Sequence, residues 1–169
     1  MTVGNNPVDR RIKLGTKRHI LTDKNGIPLS TVITSASTHD IKAVTNVIDH
    51  SISHRPSGSS FTNKNKDGLY YHLYLDRAYS SKSIENEIIK RGYVPHIPYK
   101  RKKGQKKKEL SYQHKHQNMK NKRWVVERTN SWHNRFRKLL TRYEKKLENY
   151  LGLVQLSSSI IIYRKIILG

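Results

Sequence analysis

The stretch "LYYHLYLDRAYSSKSIENEIIKRGYVPHIP", residues 69–98, decides the fold class. Its first eight residues are apolar and aromatic on both faces, as expected of a strand inside a sheet. That strand ends in Asp76. Ser80 or Ser81 can cap a helix over 80–93, and Gly92 can stop it. "VPHIP", 94–98, reads as a short strand limited by its prolines. Strand, helix and strand in succession is an α/β pattern.

The flanks extend this pattern. "KRHILTD", 17–23, and "IPLSTVIT", 27–34, read as two strands around Asn25-Gly26, a strong hairpin signal. Ser37 or Thr38 can cap a helix through about His50, with Ile41, Val44, Val47 and Ile48 as its apolar stripe. Residues 51–68 are rich in Ser, Asn and Gly and read as a surface loop. Residues 99–117 read as a basic loop, and helix resumes near Asn118 and runs to about Leu140. A last helix covers about 147–167. Residues 1–169 thus form one domain of mixed sheet and flanking helices.

Composition narrows the partners. The formal net charge is +22 over 169 residues. A field of that size implies a polyanion, with nucleic acid first and an anionic membrane surface second. Residues 100–138 hold 15 Lys and Arg against Glu109 and Glu127. The absence of cysteine excludes disulfides and thiolate metal sites and fits a reducing compartment. The most apolar stretch, 150–168, is interrupted by Gln155, three serines, Arg164 and Lys165. It therefore reads as a buried helix rather than a membrane span, which needs about 20 apolar residues.

Two carboxylates stand out. On a helix over 123–140, Val125, Trp132, Phe136, Leu139 and Leu140 form an expected core stripe. Glu127 falls opposite them, near Arg123, Asn130, Asn134 and Arg137. Alone, it reads as an ordinary solvated acid among cations. Asp76 ends a buried strand, where open α/β sheets place their sites, although a turn-forming role is also open. A strand-borne Asp with a helix-borne Glu suggests a hard metal such as magnesium, its shell completed by substrate phosphate. The rival reading is a non-catalytic nucleic-acid-binding protein, with Tyr112, Trp124 and Trp132 stacking on bases.

Several segments, in order, carry a resemblance: "GNNPVDRRIKLGTKRHILTDKNGIPLSTVITSASTHD", 4–40; "LYLDRAYSS", 73–81; "RWVVERTNSWHNRFRKLLTRYE", 123–144; and "YLGLVQLSSSIIIYRK", 150–165. Together they resemble bacterial insertion-sequence transposases of the DDE class. The nearest group is the one named for insertion sequence five, within the insertion-sequence-four superfamily. The resemblance implies a ribonuclease-H-like fold and cut-and-paste DNA transposition in the bacterial cytoplasm, at the nucleoid. It implies Asp76 and Glu127 as two of three carboxylates binding two Mg2+ or Mn2+ ions. It also implies Arg128, Arg135 and Arg137 as phosphate-holding cations. The charge of the basic block adds Lys100, Arg101, Lys102, Lys103, Lys106, Lys107, Lys108 and Arg123 as candidate DNA contacts, with a plain loop over 101–108 the alternative. The partners it implies are element ends, target DNA and further copies of the chain.

The chain departs from the family's pattern in places. Ala78 stands where glycine is common, Ser80 where an acid is frequent, and Asn134 where a basic residue is usual. The family's first catalytic aspartate precedes the "GNNPVDR" segment, and no residue here matches it. Asp23 reads as a turn residue and Asp40 as a first-turn acid. The metal site is thus expected to be incomplete, and the first strand missing. A downstream reading frame completed by an upstream product, or an inactive remnant, would account for this. A sheet lacking its central strand is expected to be marginally stable.

Overall fold

A computed structural model of the chain describes residues 4–5, 14–52, 71–98 and 123–168. Two units emerge, residues 1–53 with 124–169 and residues 54–123. The expected loop at 51–68 from residue 53 onward, the basic loop at 99–117 and the start of the helix near Asn118 lie outside the described residues.

The first unit is built on an antiparallel sheet in the order β1 (Gly4–Asn5), β2 (Leu14–Thr22) and β3 (Pro28–Ser35). Pairing of β2 with β3 runs from Thr16 opposite Ser35 to Thr22 opposite Pro28. The expected turn joins them. Asp23 fastens it, its Oδ1 accepting from the Asn25 N–H at 2.9 Å and the Ile27 N–H at 2.7 Å. Gly26 takes φ +81°, in the left-handed region where a side chain is strained.

After β3, a 3-10 turn (Asp40–Ala43) leads into α1 (Val44–Asp49), which buries Val44, Val47 and Ile48. The cap differs from the expectation. His39 takes it, its ring accepting from the Ile41 N–H. Ser37 is instead held in a turn with Ser35, their hydroxyls 2.7 Å apart. The Thr38 carbonyl accepts from Lys17 at 2.9 Å, and the Lys17 ammonium also pairs with Asp40 at 2.9 Å. This ion pair ties the helix start to β2.

The expected helix through Leu140 breaks. It divides into α3 (Arg123–Asn134) and α4 (Arg137–Leu140), with Phe136 extended between them. No Gly or Pro marks the break. Turning the chain there lets Phe136 and Leu139 reach the core of Ile33, Tyr150 and Val154. Leu140, expected in the core, is 63% exposed. The buried stripe of α3 is Val125, Thr129 and His133, the last two fully buried. Helix α5 (Leu147–Ile162), continued by a π turn (Tyr163–Ile167), packs on β3.

The second unit holds a parallel pair, β4 (Tyr71–Tyr74) and β5 (Tyr93–His96), crossed over by α2 (Lys82–Lys90). Ile84 and Ile88 of α2 are buried. Gly92, at φ +79°, ends that helix as expected. The α/β class therefore holds. Among the described residues the antiparallel and parallel pairings form separate sheets, one in each unit. No helix among these residues is long and apolar enough to cross a membrane.

Candidate active site

Asp76 follows β4 by two residues, at the C-terminal end of the parallel pair. There it caps a 3-10 turn (Arg77–Tyr79), and its Oδ1 accepts from the Arg77 N–H at 2.6 Å. The half-buried Asp76 thus takes the turn-forming role while standing at the strand end where open α/β sheets place their sites. His72 and Tyr74 precede it at strand spacing. The Tyr74 ring stacks on His96 of β5 at 4.6 Å, and His72 Nδ1 lies 2.8 Å from His96 Nε2. Burial pushes the Tyr74 hydroxyl pKa upward. The alternation of His72, Tyr74 and Asp76 was the available signal for this cluster.

Glu127 lies one turn into α3 and is exposed. Its two successors turn inward. Thr129 Oγ1 donates to the Gly26 carbonyl at 2.6 Å, and Arg128 Nη2 donates to the Asn25 carbonyl. The Arg128 guanidinium also stands 4.6 Å from the Trp124 ring and 5.1 Å from the Trp132 ring. Trp124 is 54% exposed, and Trp132 is half-buried rather than core.

The far end of α3 is tied to β2 and α5. Arg18 donates to Asn134 Oδ1 at 2.7 Å, so a cation from β2 reaches the position where the sequence has asparagine. His133 Nε2 lies 3.1 Å from Ser158 Oγ. Burial, aided by the Arg18 charge, pushes the His133 pKa down to about 4. This histidine is therefore neutral at physiological pH. Sequence periodicity missed both Thr129 and His133, because the Thr129 hydroxyl and the His133 Nε2 bond within the core and these polar residues escape an apolar template.

Of the expected DNA-holding cations, Arg135 and Arg137 are exposed near the break between α3 and α4. Arg128 is engaged with the turn and the indoles. Arg123 opens α3, and Lys100 to Lys108 lie outside the described residues. Arg137 no longer shares a continuous helix with Glu127.

Asp76 and Glu127 offer hard oxygen donors, the kind magnesium and manganese prefer, so the donor type fits. They belong to different units. Among the described residues no three His, Asp or Glu side chains gather to hold an ion.

Residues 9–161 match the family model described as Transposase DDE domain. The chain belongs to the DDE transposase family. A Burkholderia cepacia protein named as a transposase for insertion sequence element IS402 is 30% identical over 168 residues. That alignment covers 95% of this chain and 68% of the relative. No solved structure gives a significant match. As a DDE transposase, the chain is an enzyme of DNA transposition from an insertion sequence, a family that uses divalent metal ions. Both carboxylate-bearing segments fall within the matched residues.

Proposed function

We propose that Asp76 and Glu127 are two of the three metal-binding carboxylates of a ribonuclease-H-like, cut-and-paste DNA transposase. The observation that carries this reading is the seat of Asp76 at the C-terminal end of a parallel strand pair, inside the family-matched residues. Exposure of Glu127 on a cationic helix supports it.

The substrate is the phosphodiester at an element end. Water attacks phosphorus there, the P–O3′ bond breaks, and a 3′ hydroxyl is released. That hydroxyl then attacks a phosphodiester of target DNA in line, joining the element and releasing a target 3′ hydroxyl. A bound pair of Mg2+ or Mn2+ ions supplies Lewis-acid stabilisation of the crowded phosphate charge. Asp76 and Glu127 would hold those ions. Arg123, Arg135, Arg137 and the lysines and arginine of 100–108 would grip flanking phosphates.

By the resemblance, the family's first aspartate precedes the "GNNPVDR" segment, and the chain spans 68% of its relative's length. We infer that an upstream segment supplies that acid, in the same polypeptide or through reading-frame fusion. The assembly works as a homo-oligomer on element ends and target DNA, at the cytoplasmic nucleoid.

The test replaces Asp76→Asn and Glu127→Gln in the form carrying the upstream aspartate. Metal-dependent strand cleavage and transfer should be abolished while DNA affinity stays nearly unchanged. Equal loss of affinity and cleavage would make both acids structural. A wild-type fusion that binds DNA and never cuts it would mark a basic DNA-binding remnant.

A further inference from the structure

We propose that the β2–β3 turn is a seat that positions Glu127, with Thr129 and Arg128 as its positioning residues. The proposal rests on the reading of Glu127 as a metal ligand. Two consecutive residues after Glu127 grip two consecutive carbonyls, those of Asn25 and Gly26. One contact would let the helix pivot. Two adjacent contacts fix both its rotation and its advance along the axis. A slip of one residue would rotate Glu127 by about 100° and shift it about 1.5 Å, enough to lose a metal ligand.

The turn is shaped for this grip. A Cβ on Gly26 would stand 3.0 Å from Thr129 Oγ1 and 3.2 Å from Arg128 Nε and Nη2. A side chain there would crowd both gripping residues, besides straining the backbone angle. Asp23 locks the turn from the other side through the Asn25 and Ile27 N–H groups. The Thr129 hydroxyl has one proton and two carbonyls in reach, Gly26 at 2.6 Å and Val125 at 3.2 Å. The shorter contact crosses to the turn rather than back along the helix. Since Thr129 is fully buried, no water competes for that bond. Trp124 and Trp132 confine the Arg128 guanidinium between them.

A packing role and a positioning role differ in what each substitution keeps. Thr129→Val keeps shape and loses the donor, whereas Thr129→Ser keeps the donor and loses a methyl. The measurement is Mn2+ affinity of the form carrying the upstream aspartate, by water-proton relaxation, alongside DNA affinity and helical content. Thr129→Val should weaken Mn2+ binding about tenfold, the usual scale for supports behind a metal ligand. Thr129→Ser should restore it, and DNA affinity should hold in both. Arg128→Lys, which keeps charge and loses the planar fork, should also weaken Mn2+ binding, and serves if the valine variant unfolds. Wild-type Mn2+ affinity in Thr129→Val, with loss in Glu127→Gln, would overturn the seat alone. Equal loss in the serine and valine variants would reduce Thr129 to packing. Unchanged affinity in Glu127→Gln would sink the metal reading, and the seat with it.

Discussion

Asp76 and Glu127 are held by different means. Asp76 is fixed by its own turn, through the Arg77 N–H, whereas Glu127 depends on neighbours that reach across to Asn25 and Gly26. His133, six residues beyond Glu127, sets a pH limit on the same helix. Its folded pKa of about 4 lies below the ordinary 6.5, so the fold prefers the neutral ring. Stability from this preference is present above pH 6.5. It declines as pH falls towards 4, reaching a loss on the order of 3 kcal/mol. A His133→Gln variant should therefore show a flatter fall in denaturation midpoint over that window. A wild-type and variant difference that does not change with pH would contradict the buried neutral ring.

At the scale of elements, the sequence was informative where backbone chemistry is local. Asn25-Gly26 and Gly92 marked a turn and a helix end because left-handed φ requires particular residues. The strand before Asp76 was legible because its residues are largely apolar and aromatic, although His72 is exposed and only Leu73 of β4 is buried. The break at Phe136 was not, because it comes from tertiary burial of Phe136 and Leu139 against β3 and α5 rather than from a local breaker. Likewise Ser37 and Thr38 look like caps, but the turn with Ser35 and the Lys17 contact engage them elsewhere. The α5 face supplies Tyr150 and Val154 to that core, with Val154 fully buried. Val154→Ala should cost about 2 kcal/mol and lower the thermal midpoint by roughly 4–8 °C. A shift under about one degree would mean that α5 is not packed on β3 in solution.

For the whole molecule, a net charge of +22 makes DNA binding a counterion-release equilibrium. The segment "RKKGQKKK", 101–108, carries six of those cations. Its deletion should weaken affinity about equally for all DNA sequences and flatten the slope of log affinity against log salt by up to about 5. An unchanged slope would mean that this segment does not track phosphates. The two carboxylates lie in different units of the chain, and among the described residues no three His, Asp or Glu side chains gather around either. Their placement within family-matched segments was legible from sequence order, while their convergence on one ion is a claim about the assembled protein.

Localised iron cleavage tests that convergence most directly. Fe2+ replaces Mg2+ on the form carrying the upstream aspartate with DNA bound, and ascorbate with peroxide then cuts backbone near the ion. Cuts are expected around both residue 76 and residue 127, and either Asp76→Asn or Glu127→Gln should remove both sets. Cuts at one segment alone, or cuts at one carboxylate that survive loss of the other, would contradict a shared metal centre.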